Sequence, residues 1–108
     1  NFDMKKTLFI AGVVTPNPKY PDKKNNLQMF DDKAIELMKE YAVFTTSANH
    51  ERLGIQSKFE WSDFMDQALP FLVVCDLVYM LKGWETSDGA IVEHIYAKKF
   101  NKVIIYEN

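Results

Sequence analysis

Leu77-Val78-Tyr79-Met80-Leu81-Lys82-Gly83-Trp84-Glu85-Thr86-Ser87-Asp88-Gly89-Ala90-Ile91-Val92-Glu93 is the stretch that decides the fold. Its first five residues are an apolar run of strand length. A loop bracketed by Gly83 and Gly89 follows, and Ala90 to Lys99 then reads as a helix. Strand, glycine loop and helix start therefore come in direct succession. In an open α/β sheet such a junction borders the ligand crevice.

Working outward, Thr7-Leu8-Phe9-Ile10-Ala11-Gly12-Val13 is a second nearly all-apolar run, as expected of a strand buried on both faces of a parallel sheet. Val14 to Asn26 holds Pro16, Pro18 and Pro21 and reads as a loop, either functional or simply a surface connection. Leu27 to Tyr41 has helical periodicity, with Phe30, Ala34, Leu37, Met38 and Tyr41 on its apolar side. Asn25 or Asn26 is placed to cap it. Phe30 and Met38 read as core residues. Ala42-Val43-Phe44-Thr45-Thr46 is a short strand, and polar Ser47 to Gln56 a second long loop.

Ser57-Lys58-Phe59-Glu60 fits a capping box, which predicts a helix turning Trp61, Phe64, Met65, Ala68 and Leu69 inward. Pro70 predicts a kink, or a helix that restarts with Pro70 near a new first turn. That helix continues to about Cys75, with Asp76 breaking it before the strand Leu77 to Leu81. Ser87 or Asp88 caps the last helix, Asn101 closes it, and Lys102 to Tyr106 is the final strand. The order β-α-β-α-β-α-β predicts one α/β domain over residues 1–108. Its architecture is a Rossmann-like or flavodoxin-like three-layer sandwich: a parallel four-stranded sheet in order 2-1-3-4 with helices on both faces. The switch point falls between the first and third strands, so the loops after Gly12 and Leu81 border one crevice.

Composition narrows the function classes. The 108 residues carry a net charge of -2, which argues against a nucleic acid polymer as partner, since that needs a basic face. The longest apolar stretch, about a dozen residues interrupted by Asp76, is too short for a membrane span. One cysteine, Cys75, excludes an internal disulfide. With no charged-then-apolar leader, it predicts a cytoplasmic protein. His50 and His94 are too isolated for a metal constellation, and no Walker lysine or G-x-G-x-x-G occurs. Neither a metal nor a cofactor is expected. Cys75 reads as a buried packing residue, and His94 as surface or satisfied.

Ala90, Glu93 and Ala97 share a helical face, small residues flanking one acid. The helix dipole favours that acid in its ionised form. A lone glutamate usually lies on a solvated face, but the flanking alanines favour a functional one. Ser87, Asp88 and Gly89 present backbone N–H groups at the helix start, an arrangement suited to an anion or a hydroxyl and equally to simple capping.

These residues carry a resemblance. Phe9-Ile10-Ala11-Gly12, Cys75-Asp76, and Gly83-Trp84-Glu85-x-Ser87-x-Gly89-Ala90-x-x-Glu93 together resemble a family of small phage and bacterial domains of unassigned function. That family is similar in turn to the nucleoside 2-deoxyribosyltransferases and the nucleoside 5′-monophosphate N-glycosidases. The resemblance implies cleavage of an N-glycosidic bond, with Glu93 as the nucleophile that forms a glycosyl-enzyme. It also implies Ser87 at the 5′ end of the sugar, with Gly12, Trp84, Asp88 and Gly89 completing the ligand site and Asp76 mainly structural. The implied partner is a nucleoside or nucleotide, and relatives that complete their sites across subunits imply a homo-oligomer. Those enzymes carry an aspartate eight residues before Asp76 to orient or protonate the base. Here that residue is Ala68, and Asp66 lies roughly 160° around the helix from it. In the first loop, Lys19 and Tyr20 are the candidate contacts. The alternatives are a non-catalytic binder of a nucleotide-like molecule, which Ala68 favours, and an interaction module with a vestigial pocket.

Overall fold

The computed structural model describes residues 4–14, 27–45, 53 and 58–108. The proline-rich loop, the Asn25 or Asn26 cap, nearly all of the second long loop with His50, and Ser57 lie outside these. Four strands, β1 (Thr7–Ala11), β2 (Ala42–Phe44), β3 (Leu77–Met80) and β4 (Val103–Tyr106), form a parallel sheet in order β2-β1-β3-β4. Register is set by Phe9 opposite Phe44 and Val78, and by Val78 opposite Ile104. All strand pairs are parallel, so each connection crosses over through a helix. These helices are α1 (Leu27–Leu37), α2 (Trp61–Val74) and α3 (Asp88–Lys99).

The period-2 alternation of β1 and β3 divides the core in two. Leu8, Ile10, Leu77 and Tyr79 face α1, where Phe30 is fully buried among them with Leu27, Ala34 and Leu37 alongside. Phe9, Ala11, Val78 and Met80 face α2 and α3, against Ala68, Leu72, Ala90 and Ala97. The helices therefore cover both faces, one against two. Truncating Phe30 to alanine would cost about 3–5 kcal/mol, the usual range for a buried phenylalanine.

Local chemistry explains the element ends. The α2 capping box uses Glu60, not Ser57: Asp63 accepts the Glu60 N–H at 2.9 Å, and Glu60 in turn accepts from the Asp63 backbone. The helix then runs through Pro70 without restarting and ends at Val74. Asp76 has the structural role expected of it. Its Oδ2 accepts the Thr7 backbone N–H at 3.0 Å and the Thr7 hydroxyl at 3.2 Å, joining the starts of β1 and β3. The Thr7 N–H holds the Asp76 carboxyl below its ordinary range. Asn101 takes a left-handed φ of 57° just past α3. The Lys102 N–H returns to the Ala97 carbonyl at 2.9 Å and the Asn101 N–H to Lys98 at 3.1 Å, which is a Schellman closure.

Two apolar side chains expected inside are outside. α1 ends at Leu37, so Met38 falls in a turn and is 54% exposed. Trp61 is 53% exposed, because α2 starts there and its first residue projects past the edge of the core. Cys75 is fully buried as expected, and burial pushes its thiol pKa up.

Candidate functional site

The carboxyl ends of β1 and β3 lie side by side at the switch point, where the Leu81 N–H donates to the Ala11 carbonyl at 2.8 Å. From here the chain leaves β1 towards β2 and leaves β3 towards β4, which opens the crevice of a doubly wound sheet. Gly12 is what lets the two strand ends meet. A Cβ there would stand 2.8 Å from the Leu81 Cβ and 2.9 Å from its Cδ1, closer than atoms tolerate. After β3, Gly83 turns the chain at φ 89°, a conformation glycine adopts without strain. A single 3-10 turn, Trp84–Thr86, carries it to Ser87. The Ser87 hydroxyl accepts the Ala90 N–H at 3.2 Å and so caps α3. A capping hydroxyl still has its own proton to donate. Asp88 and Gly89 form the first turn, Asp88 exposed and Gly89 partly buried.

Ala90, Glu93 and Ala97 are the buried residues of α3, as the face pattern predicts. Glu93 is only 2% exposed, and its Oε2 is buried without a hydrogen-bond partner among the described residues. Ala90 and Ala97, which share its face, belong to the apolar cluster with Ala68, Leu72, Phe9, Ala11, Val78 and Met80. Desolvation raises the Glu93 pKa from 4.5 to about 8. The helix dipole predicts an ionised acid; burial outweighs it and shifts Glu93 towards the neutral carboxylic acid. An unpaired buried polar atom costs about 1–3 kcal/mol, so its presence calls for an explanation.

The remaining site candidates sort by geometry. Trp84 is half-buried with its ring 4.3 Å from that of His94, and the Tyr106 hydroxyl is 2.6 Å from His94 Nε2. Trp84 thus faces the α3–β4 side of the site, and His94 is satisfied. Burial, with help from Lys98, lowers the His94 pKa. Ala68 is buried in the apolar cluster, while Asp63 and Asp66 on the same helix are exposed. Neither aspartate takes the place of an acid at position 68. Among the described residues, no group of three or more His, Cys, Asp or Glu could hold a metal ion. No helix there is long and apolar enough to cross a membrane.

Sequence reasoning placed Trp61 in the core and so missed its position. A Cβ on Gly89 would meet Trp61 Nε1 at 3.7 Å, Met65 Sδ at 3.5 Å and Ser87 Oγ at 3.9 Å. The first turns of α2 and α3 therefore meet at Gly89. The Glu60–Asp63 capping pair, which starts the helix at Trp61, was the available signal.

A family profile matches residues 6–106, and its description is "Domain of unknown function (DUF4406)". The chain belongs to the DUF4406 family. The match spans the sheet from before β1 to the end of β4, so the DUF4406 domain includes the switch point, the α3 start and Glu93. No curated protein matches this chain.

Proposed function

We propose that this DUF4406 domain cleaves the N-glycosidic bond of a nucleoside or nucleotide, or transfers its deoxyribosyl group, with Glu93 as nucleophile. The observation that carries the proposal is Glu93 itself: a buried carboxyl with an unpartnered oxygen, one turn inside a helix that starts at the switch point. Strongly perturbed acids beside a crevice are candidates for chemistry. The resemblance to nucleoside 2-deoxyribosyltransferases, resting on Gly83 to Glu93, supplies the reaction class.

In the first step the ionised Glu93 attacks the anomeric carbon. A C–O bond forms, the C–N bond breaks, and its electron pair leaves with the base nitrogen. In the second step water, or another base, attacks the same carbon and releases the Glu93 carboxylate. In this reading the Ser87 hydroxyl donates to the 5′ oxygen, and the N–H groups of the α3 first turn favour a 5′-phosphate there. Gly12 and the loop after it, with Asp88, Gly89 and Trp84, complete the ligand surroundings. Ala68 offers no proton to the departing base, so the base takes its proton from water or leaves as an anion. A homo-oligomer is part of the proposal, through sites completed across subunits.

A second reading has its own observation. The buried apolar Ala68 where related enzymes carry an acid favours a non-catalytic binder of the same ligand class, a sensor or sequestering protein. One experiment separates the two. Wild type and Glu93→Ala are incubated with a panel of deoxynucleosides and their 5′-monophosphates, and free base is measured. Base release by wild type and not by the variant supports catalysis. Thermal stabilisation by a nucleotide in both proteins, without turnover, supports the binder. Neither release nor stabilisation with any member of the panel would sink both readings.

A further inference from the structure

We infer that Trp61 is the aromatic wall of this site and stacks on the planar base of the bound ligand, beside the first turn of α3 at Gly89. The inference rests on the glycosidic reading and adds to it a residue that sets ligand preference. Gly89 and Glu93 are four residues apart, so they lie one above the other on the same face of α3. Helical side chains lean towards the N-terminus, so Glu93 covers the α3 face on the side of the Gly89–Ala90 turn. Both residues of that turn are small, and α2 packs directly against it: Met65 Sδ and the Trp61 indole nitrogen lie 3.5 and 3.7 Å from the point where a Gly89 Cβ would be. The Ser87 hydroxyl is 3.9 Å from that same point.

A sugar held by Ser87 with its anomeric carbon at Glu93 therefore has its base beside α2. Met65 is buried there, whereas Trp61 stays 53% exposed and leaves indole surface free. Indole is the largest π-surface among the side chains, and base–aromatic stacking tolerates any base. Ala68, two turns further along α2, offers no hydrogen bond to a base edge. Trp61 would then hold the base by its face, without reading its edge, which predicts weak discrimination between purines and pyrimidines.

The test uses the 108-residue protein labelled with 5-fluorotryptophan, which gives two fluorine signals because the chain has two tryptophans. Trp61→Phe assigns them. Deoxynucleoside 5′-monophosphates and 2-deoxyribose 5-phosphate are titrated by calorimetry and by fluorine NMR. The monophosphates are expected to shift the Trp61 signal and the sugar phosphate to leave it in place. Trp61→Ala is expected to weaken monophosphate binding about tenfold or more, with sugar phosphate affinity unchanged within about twofold. Trp61→Phe retains stacking, so affinity stays within about threefold of wild type. Monophosphate binding that is equal in Trp61→Ala, with the Trp61 signal unmoved, overturns the role of Trp61 and leaves the glycosidic reading standing. No binding by any monophosphate to wild type overturns both.

Discussion

Glu93 and Glu107 lie on opposite faces of one sheet, and the fold treats them differently. On the α1 face, Glu107 is tied in from two sides. Its Oε2 lies 3.3 Å from Lys33 Nζ of α1, and its Oε1 accepts the Lys82 N–H at 2.9 Å. Lys33 also pairs with Glu36 at 2.9 Å and stands 5.5 Å from the Tyr79 ring centroid. On the α2–α3 face, Glu93 is more deeply buried, yet its Oε2 has no hydrogen-bond partner among the described residues. The sheet thus has one acid that holds the structure together and one that strains it. An apolar residue of similar size at position 93 would occupy the same place at lower cost. A group that weakens the fold while sitting beside the crevice is the pattern expected of a functional site.

The sharpest way to break this contrast is stability as a function of pH. Glu93 has an ordinary pKa of 4.5 when unfolded and about 8 when folded. A raised carboxyl pKa means that the folded state keeps its proton after the unfolded state has lost it. The favourable contribution is complete below pH 4.5 and is lost as pH rises towards about 8. Over that window wild type should lose up to about 5 kcal/mol from this group alone, by linkage. Denaturant melts of Glu93→Gln should lack this slope, and the variant should be the more stable protein at pH 8. Parallel curves for the two proteins would show that Glu93 is solvated or paired. The Lys33 ammonium, whose pKa is raised first by Glu36 and also by Glu107, stays charged throughout and adds no slope of its own.

Smaller effects sharpen the same picture. Gly12→Ala should destabilise by about 1–3 kcal/mol, since the new Cβ overlaps Leu81 at the join between β1 and β3. Glu107→Gln should cost about 1 kcal/mol in a urea melt, because a half-buried charged hydrogen bond is lost. Gly89→Ala should be neutral or stabilising by up to about 1 kcal/mol, because the new Cβ meets only ordinary contacts and glycine is a poor helix former. A destabilised Gly89→Ala in a urea melt would show that Trp61, Met65 and Ser87 pack against the α3 first turn more tightly than ordinary contact.

The fold was legible because β1 and β3 are unbroken apolar runs and each connection carries a helical pattern. Alternation of this kind permits few topologies. The Ala90/Glu93/Ala97 face and the Ser87 cap were legible for the same reason, since spacing alone defines them. The raised pKa of Glu93 was not, because it comes from burial that only the assembled sheet and helices provide. Trp61 and Met38 were misplaced because periodicity says which side a residue takes, not where the helix ends. Moving the α2 cap from Ser57 to Glu60, and ending α1 at Leu37, puts both side chains outside. Pro70 stays inside α2 because tertiary packing of Met65, Ala68 and Leu72 outweighs its local penalty.

The central claim is that Glu93 is a reacting carboxylate held as an acid until its proton leaves. Its most direct test is the rate of base release at limiting substrate, measured from pH 6 to 9 for wild type and Glu93→Gln. The account predicts a wild-type rate that climbs about tenfold per pH unit and levels near pH 8, as a nucleophile with that pKa requires. Glu93→Gln should be slower by a factor of about a thousand or more at the plateau. A variant that releases base as fast as wild type, or a wild-type rate that falls as pH rises through this range, would contradict it.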